Sequence, residues 1–451
     1  MKVSLLLISL VIFAKQGCGQ EFLYVTDVVT NNLYMIDPTT TPPSVIATVS
    51  VLSPTPPFTG GFAIAFTPDS LTGYVTNRSG TKSIYQFNTI FNSTTPNTVT
   101  TFIAQPGSFP FVSNPSGMVI TPDGSTLFIG LNRGHAVEIA DITSKTMGAI
   151  FTTITTTGFA NFNSPEQLVV TPDGSTVYVA NLGAGNENVY IVDITNPADS
   201  FVTGLVSTIT VPPAMGPSFP PFAGPNSVAI SPDGLTIYVP DITPCVYVID
   251  TTTNQATALI QTGSFPAFAF PIRATVSPDG KLLYISDQVN ALVYVADTTT
   301  NQVTATVSVD TTLFPAFAGP FEIAFLSDSS TAYVTDDGNG TVYVIDVASS
   351  SVSAIVTNAN PPFGGPFAIA NLTAPVVVVT PTVPTAVAQT AAATATNPST
   401  HNAVQQTNNL VTQTQTAGIT GTAQGTVATP VYVIPNTPYT TKTNLPPSGC
   451  K

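Results

Sequence analysis

The sequence predicts an all-β fold made of four-stranded antiparallel sheets, and three observations support this prediction. A unit of about 50 residues recurs with drift from residue 20 to about residue 373. Each unit contains short runs of β-branched and tyrosine residues, which favour strands. Most units also contain a turn such as Ser231-Pro-Asp-Gly234, in which proline presets φ and glycine accepts a positive φ. Repeats of this length with four strands each are typical of the blades of a β-propeller.

The unit around residue 230 shows the four strands most clearly. Val228-Ala-Ile230 precedes the turn as an apolar run, and Ile237-Tyr-Val239 follows it as a second strand. A third strand runs from Cys245 to Ile249, and residues 255–260 form a fourth, more polar one. Because the first three strands are apolar almost throughout, we expect neighbouring blades to cover both faces of each sheet.

The number of turns predicts seven blades. Turns of this type begin at Thr67, Thr121, Thr171, Ser231 and Ser277, and a degenerate one begins at Leu326. The first unit lacks an inner strand, because Phe22–Asp27 matches the second strand of the other units. The missing strand follows the seventh unit as Phe367–Asn371. We therefore predict that this C-terminal strand completes blade 1 and closes the ring, which removes two exposed sheet edges.

The composition divides the chain into three segments. Residues 1–19 have a lysine at position 2 and an apolar run too short to span a bilayer, which predicts a signal peptide. Residues 20–373 form the predicted propeller. Residues 374–451 contain no acidic residue and are rich in Thr, Ala, Gln and Pro, which predicts a disordered, low-complexity tail. The protein is therefore expected to be exported, to the periplasm, the cell surface or the extracellular space.

Several second strands share a tetrapeptide that follows a Pro-Asp-Gly-type turn. Examples are Tyr74-Val-Thr-Asn77, Tyr178-Val-Ala-Asn181 and Tyr333-Val-Thr-Asp336. This repeat resembles that of the YVTN-family β-propellers, which occur in surface-layer and other exported prokaryotic proteins. It is also similar to the lactonase-like and quinoprotein-like seven-bladed propellers. The resemblance implies the fold and no single function, because propellers host unrelated activities.

The charge of the chain limits its partners. It has 10 Lys and Arg against 24 Asp and Glu, a formal net charge of −14 at pH 7. Such a surface repels nucleic acids and anionic lipid headgroups, so neither binding partner is expected. No segment of the mature chain is expected to insert into a membrane. The charge suits cationic partners and divalent cations; no cofactor is predicted, and calcium is the one for which the chain offers oxygen ligands.

Residues for catalysis are scarce, and the sequence predicts no catalytic residue. His135 and His401 are the only histidines, and the latter lies in the tail. No His and Cys spacing suits a zinc site, and Cys245 and Cys450 are too few for a disulfide framework.

Four polar residues are the best candidates for a ligand site, because they open inner strands at the predicted mouth of the central channel. They are Gln167, Ser227, Arg273 and Glu322. Arg273 and Glu322 fall in adjacent blades and could anchor a polar ligand. The alternative is a structural ion pair between the two blades.

A second ring of polar residues closes the second strands of the blades. It consists of Asp27, Asn77, Asn132, Asn181, Asp241, Asp287 and Asp336. Their oxygens suit calcium, so Asp241, Asp287 and Asp336 are weak metal candidates. The simpler interpretation is that each side chain caps the backbone at a strand end.

Phenylalanine-proline motifs recur in the connections between blades and are candidates for binding a partner. Their aromatic residues are Phe109, Phe111, Phe219, Phe222, Phe265, Phe268, Phe314 and Phe317. If the rings are exposed, they form an apolar crown suited to a protein or glycan. If they fold inward, they fix neighbouring parts of the propeller instead.

Three hypotheses for function follow. The first is a non-enzymatic exported propeller that acts as a cell-surface or secreted binding or structural module. The second, implied by the resemblance, is a hydrolase or oxidoreductase of the lactonase-like or quinoprotein-like type with its site at the channel mouth. The third is a calcium-stabilised surface-layer subunit. The few catalytic residue types and the stalk-like tail favour the first.

Overall fold

The computed structural model describes most of the predicted propeller. The described residues are 21–51, 60–78, 83–89, 98–103, 114–143, 151–154, 161–183, 185, 187–194, 206–208, 220–357 and 359–373. All of them belong to one compact unit, Met1–Val376. The predicted signal peptide and the predicted tail lie outside the described residues. None of the described residues forms a helix long and apolar enough to cross a membrane.

The predicted seven blades are confirmed. Blade 1 consists of β1 (Glu21–Asp27), β2 (Asn32–Asp37), β3 (Ser44–Thr48) and β29 (Pro366–Thr373). Blade 2 consists of β5 (Gly61–Phe66), β6 (Thr72–Asn77), β7 (Ser83–Asn88) and β8 (Thr98–Ile103). Blade 3 consists of β9 (Pro115–Ile120), β10 (Thr126–Leu131), β11 (Ala136–Asp141) and β12 (Phe151–Thr153). Blade 4 consists of β13 (Pro165–Val170), β14 (Thr176–Asn181), β15 (Asn188–Asp193) and β16 (Val206–Thr208). Blade 5 consists of β17 (Ala229–Ile230), β18 (Thr236–Asp241), β19 (Cys245–Asp250) and β20 (Gln255–Leu259). Blade 6 consists of β21 (Pro271–Val276), β22 (Leu282–Asp287), β23 (Leu292–Asp297) and β24 (Gln302–Thr306). Blade 7 consists of β25 (Pro320–Phe325), β26 (Thr331–Asp336), β27 (Thr341–Asp346) and β28 (Ser351–Ile355). A short β4 (Ser50–Val51) adds a fifth, parallel strand to blade 2.

The last strand closes the ring as predicted. β29 pairs antiparallel with β1, from Glu21 opposite Thr373 to Asp27 opposite Pro366. The innermost strand of blade 1 therefore comes from the end of the propeller, and its other three strands come from the beginning. This pairing leaves neither strand with a free edge on that side.

The hydrophobic core is a set of layers between adjacent blades. Seven clusters of buried residues in the described part of the chain each combine side chains of two neighbouring blades. The layer between blades 7 and 1, for example, joins Tyr333 and Val344 to Leu23 and Val25. Burial on both faces explains why the strands are apolar throughout rather than alternating.

The segments that follow fourth strands protect the outer edges of the blades. Gln261 bridges in parallel to Gln302 of the next blade, Ser308 bridges to Ser351, and Thr357 bridges to Ser44. β4 makes the same kind of contact with β8. An outer strand of one blade is thus partly covered by the chain that leaves the preceding blade, which reduces the exposed edge.

The two faces of the disc differ in charge. We call the face on which the inner strands begin the mouth face, and the opposite face, with the Pro-Asp-Gly-type turns, the acidic face. The turns of the acidic face and the ends of most third strands there carry aspartates. In one such turn, Asp233 Oδ1 accepts hydrogen bonds from Ser231 Oγ at 2.5 Å and from the N–H of Leu235 at 3.0 Å. The closing Gly234 has φ +75°, and a Cβ there would lie 2.8 Å from Pro172 of the preceding turn.

Candidate functional site

A β-bulge at the start of the inner strands builds the channel mouth. In blade 7, Phe321 and Glu322 together oppose the single residue Thr335, and pairing resumes at Ile323. Blades 1, 2, 3, 4 and 6 have an equivalent shift of register. Because a bulge sets two residues against one, two consecutive side chains are presented near the channel instead of one.

Arg273 lies at the centre of one half of the mouth. Its Nε donates to Glu322 Oε2 of the next blade at 3.2 Å, and only 4% of the residue is exposed. Its Nη1 lies 3.1 Å from the carbonyl oxygen of Ile272 and 3.4 Å from Asn226 Oδ1. The guanidinium carbon lies 4.5 Å from the centre of the Phe321 ring, a cation–π distance. The ion pair expected between Arg273 and Glu322 is therefore present and joins blades 6 and 7.

Arg78 forms a second, similar centre. Its Nη2 donates to both carboxylate oxygens of Glu166, at 3.1 and 3.3 Å, across the width of blade 3. Its guanidinium carbon lies 3.7 Å from the centre of the Phe62 ring. The side-chain amide of Asn132 also donates to Glu166. Each half of the mouth thus combines an arginine, a glutamate and a phenylalanine.

Three phenylalanine rings connect the two halves. The ring centres of Phe321 and Phe367 are 3.8 Å apart, and those of Phe62 and Phe367 are 4.6 Å apart. These residues belong to blades 7, 1 and 2, so the rings form a continuous aromatic arc on one side of the channel. Phe62 and Phe367 are half-buried, whereas Phe321 is buried.

The other predicted candidates complete the ring on the opposite side. Ser227 Oγ of blade 5 donates to Gln167 Oε1 of blade 4 at 2.5 Å. Ser116 of blade 3 donates to the carbonyl oxygen of Pro165 at 2.6 Å. Each of the seven blades therefore contributes at least one residue to this set of contacts.

Burial changes the acid–base properties of two mouth residues. Desolvation raises the pKa of the Glu322 carboxyl, and the positive charge of Arg273 opposes that shift. Desolvation also lowers the pKa of the Arg78 guanidinium; Glu166 opposes this shift, and the charges of Arg273 and Arg133 add to it. Arg133 and Arg273 therefore both lie close enough to Arg78 to affect its charge.

The arrangement is suited to binding a small molecule and offers one means of acid–base chemistry. Half-exposed aromatic rings beside fixed hydrogen-bonding groups are typical of ligand sites. A carboxyl with a raised pKa beside a guanidinium can act as a general base. No group of three or more His, Cys, Asp or Glu able to hold a metal ion occurs among the described residues.

The phenylalanine-proline motifs fold largely inward. Phe222, Phe268 and Phe317 are buried, and each packs on a tyrosine of the third strand of its own blade. Phe317 and Tyr343 have ring centres 4.6 Å apart, and the Tyr343 hydroxyl donates to the carbonyl oxygen of Pro315 at 2.8 Å. Three of the candidates for an exposed crown thus take the inward alternative, because their own blade supplies an aromatic partner. Phe265 and Phe314 are half-buried, and Phe109, Phe111 and Phe219 lie outside the described residues.

The aspartates that close second strands cap the backbone around them. Asp336 accepts hydrogen bonds from the N–H groups of Ala318 and Gly319, both at 2.9 Å, and of Asn339 at 3.2 Å. Asp241 and Asp287 accept N–H groups from the corresponding segments of blades 5 and 6. Since N–H groups occupy oxygens that a cation would need, the contacts match the capping interpretation of these residues.

Several mouth residues were not predicted from the sequence. Glu166, Asn226 and Phe321 each stand one position before a predicted candidate. Phe62 and Phe367 hold the equivalent position in the bulges of blades 2 and 1. The bulge brings this preceding position to the channel as well. One signal was available in the sequence, because the tetrapeptide Phe-Ala-Ile-Ala occurs at the start of two inner strands, at residues 62–65 and 367–370.

The fold and the site define a class of protein: a seven-bladed propeller with a small polar and aromatic site in its channel mouth. The family model described as "Lactonase, 7-bladed beta-propeller" matches residues 70–361, which is more than half of the chain. The chain belongs to this family. No curated protein matches it. Among solved structures it is similar to the hydrazine synthase of Kuenenia stuttgartiensis, at 20% identity over 64% of this chain and 76% of that chain, with a TM-score of 0.47. A similarity of this degree bears on neither ligand nor mechanism.

Proposed function

We propose that this chain is an exported propeller that binds a small, polar, ring-shaped molecule at its channel mouth and does not transform it. The observation that carries this proposal is the connected set of contacts around Arg273, Phe367 and Arg78, to which all seven blades contribute. A site assembled from every blade is rigid, because no side chain in it can move without disturbing its neighbours.

The exposed parts of the site suggest the shape of the ligand. Phe62 and Phe367 are partly exposed, and Arg78 and Glu322 present polar groups on the same side of the mouth. Gln167 presents its amide from the opposite side. Aromatic faces favour flat, weakly polar surfaces of a ligand, and the polar groups favour hydrogen bonds at its edge. A cyclic molecule with oxygen substituents offers both.

Binding without chemistry is supported by the partners of the carboxylates. Glu322 is paired with Arg273, and Glu166 is bound by Arg78 and Asn132. Their oxygens are therefore already occupied by donors of the protein, which favours a binding role. His135, the only histidine of the propeller, is exposed, and its Nδ1 accepts the N–H of Ser164 at 3.3 Å.

Native mass spectrometry of the full chain, purified without chelators, tests the proposal. We expect excess mass over the denatured chain, or binding when cyclic polyols and lactones are added, and we expect Phe367→Ala to weaken it. Phe265→Ala is the matched control, because Phe265 is also half-buried near the mouth face and lies outside the aromatic arc. Equal binding by both variants would place the ligand elsewhere, and a bare mass with no binding from the panel would refute the proposal.

Lactone hydrolysis is the second candidate, favoured by the family match and by the raised pKa of Glu322. In this mechanism Glu322 would accept a proton from the attacking water, and Arg273 would stabilise the oxyanion that forms on the carbonyl oxygen. When the intermediate collapses, the ring C–O bond would break and Glu322 would return the proton to the released oxygen. Turnover of a lactone panel, lost in Glu322→Gln and kept in Glu187→Gln, would favour hydrolysis over simple binding. Glu187 is a suitable control because it takes no part in the mouth contacts described above and accepts the N–H of Gly185.

The cellular role of the propeller is part of the same proposal. Export is supported by the lysine and apolar run of residues 1–19, and display at the surface by the Thr- and Pro-rich residues 374–451. The finer assignment to YVTN-type repeats is supported by the tetrapeptides of the second strands. Protease shaving of intact cells tests display, because a protein inside the membrane would be protected.

A further inference from the structure

We propose that the ligand of the mouth carries a carboxylate, which Arg78 and Arg133 bind while its ring lies against Phe62 and Phe367. This inference rests on the proposed function and adds the charge and class of the ligand: a planar ring carboxylate.

The first argument is the position of the arginines. The chain contains only three, Arg78, Arg133 and Arg273, and all three lie at the mouth, where the charges of the other two act on Arg78. Two carboxylates, those of Glu166 and Glu322, face them there. Among these five side chains the positive charges exceed the negative ones by one. The aspartates that close the second strands lie on the same face, and those of blades 5 to 7 are already held by backbone N–H groups.

The second argument is the unequal use of the two buried arginines. The Nε and Nη1 of Arg273 both have acceptors, and 5% of its side chain is exposed. Arg78 has 24% of its side chain exposed, and its buried Nε has no acceptor among the residues that the structure describes. An uncompensated N–H of a charged group is costly, so an anion that reaches the exposed part of this side chain would stabilise its charge.

The third argument is the geometry of guanidinium recognition. A carboxylate can accept two parallel N–H bonds from a guanidinium, and such charge-assisted bonds are stronger than neutral ones. Arg133 is exposed and follows Asn132, which holds Glu166 beside Arg78. It can therefore contribute charge to an anion bound at Arg78 without breaking the existing pair.

The acidic face explains how an anion could reach this site on an acidic protein. The aspartates of the Pro-Asp-Gly-type turns and of the third-strand ends lie at the opposite end of the blades from the arginines. Their repulsion weakens with distance and is screened by salt, whereas the three arginines are local. We therefore expect anions to approach from the mouth face. We also expect their association rate to rise as salt is increased from very low concentrations, because salt screens the repulsion by the aspartates.

NMR titration of the full chain with matched pairs of carboxylates and primary amides tests the inference. The pairs are benzoate with benzamide, and 2-furoate with 2-furamide, which share ring and size and differ in charge. We expect each carboxylate to bind at least about 10-fold more tightly than its amide, as one charge-assisted bidentate contact predicts. Inorganic phosphate is titrated in parallel, because tighter binding of phosphate than of the carboxylates would show a general anion site and overturn the proposed class.

Three variants separate the possible outcomes. Arg78→Gln should remove the preference for the carboxylate, and Arg133→Gln should reduce it about 3-fold. Lys281→Gln, which removes a base of the acidic face, should change nothing. If amides and carboxylates bind equally and Phe367→Ala abolishes both, the proposed function stands and this inference is wrong. If no ring compound binds to a chain with native circular dichroism, the proposed function fails as well.

Discussion

Ser116 and Gly130 share one small volume at the start of blade 3. The Ser116 hydroxyl lies 3.0 Å from the carbonyl oxygen of Gly130 and donates to that of Pro165, in the next blade, at 2.6 Å. A Cβ on Gly130 would lie 2.9 Å from Ser116 Oγ. In blade 7 the bridging hydroxyl comes from the second strand instead, because Thr335 donates to the carbonyl oxygen of Phe367 at 2.6 Å. Both blades therefore have a hydroxyl that bonds to a carbonyl oxygen of the next blade. The hydroxyl belongs to the inner strand in blade 3 and to the second strand in blade 7.

This relationship predicts a non-additive pair of substitutions. Gly130→Thr alone should destabilise the propeller by about 2 kcal/mol, because the new side chain overpacks against Ser116. Ser116→Ala alone should cost about 1 kcal/mol through the lost hydrogen bond. The double variant should be more stable than Gly130→Thr, because the introduced hydroxyl can take the bridging position seen for Thr335. Urea unfolding measures all three, and strictly additive losses would contradict the shared volume.

The contact between Phe317 and Tyr343 predicts a graded loss of stability. Phe317→Ala should cost about 3 kcal/mol, because the ring is buried against Tyr343. Tyr343→Phe should cost about 1 kcal/mol, because it removes the donor to Pro315 and keeps the ring. Phe314→Ala is the matched control in the same loop, and its half-buried ring should matter less. If Phe314→Ala lowered stability more than Phe317→Ala, the packing of Phe317 on Tyr343 would not be the main contact that stabilises this loop.

The capping contacts of Asp336 predict that chelators leave the melting temperature unchanged. Three backbone N–H groups already bind its carboxylate, so calcium has no place there without breaking them. Asp336→Ala should destabilise by about 2 kcal/mol, since buried donors lose their acceptor. Asp336→Asn should cost less, because Asn77, Asn132 and Asn181 occupy the equivalent positions. A fall in melting temperature with EDTA that calcium reverses would instead support a calcium-stabilised surface-layer subunit.

Glu138 predicts a dependence of stability on pH. It stands in the third strand of blade 3 where the six other blades have a tyrosine, and only 6% of it is exposed. Burial raises the pKa of its carboxyl from 4.5 to about 7. The folded state therefore holds this proton more tightly than the unfolded state, so stability should fall as pH rises from about 4.5 to about 7 and then level off. The full penalty above pH 7 is about 3 kcal/mol.

Comparison with Glu138→Gln isolates this carboxyl. The stability difference between the two proteins, measured by urea unfolding from pH 4.5 to 8.5, should grow in favour of the variant and become constant above about pH 7. Glu138→Tyr, which restores the residue of the other blades, should follow the same trend. A difference that does not change with pH would show that Glu138 is charged at no extra cost.

The repeat made the fold predictable, because each strand is fixed by local chemistry. The tetrapeptides of the second strands and the Pro-Asp-Gly-type turns mark strand ends in the sequence. The continuous apolar runs indicate that neighbouring blades cover both faces of each sheet. The closing strand could be placed because Phe367–Asn371 matches an inner strand and has no other blade to join.

The mouth was only half predictable, because a bulge depends on the register between two strands. Arg273 and Glu322 stood out as rare charges at the expected position. Phe321 and Phe367 did not, because an unbulged strand would turn them away from the channel. The distance between Arg78 and Glu166, which crosses blade 3, depends on the curvature of the whole ring and has no signal in the sequence.

The pairing of β29 with β1 also decides how the ring would respond to a mechanical load. Glu21 and Thr373 lie side by side in register, so the two ends of the ring leave from the same edge. A force that pulls them apart acts along the hydrogen bonds, which run perpendicular to the strands, and breaks them one pair after another toward Asp27 and Pro366. Every other blade is a continuous run of chain, and a loop joins each to the next. Under tension the propeller would therefore unzip at this one seam before any blade unravels.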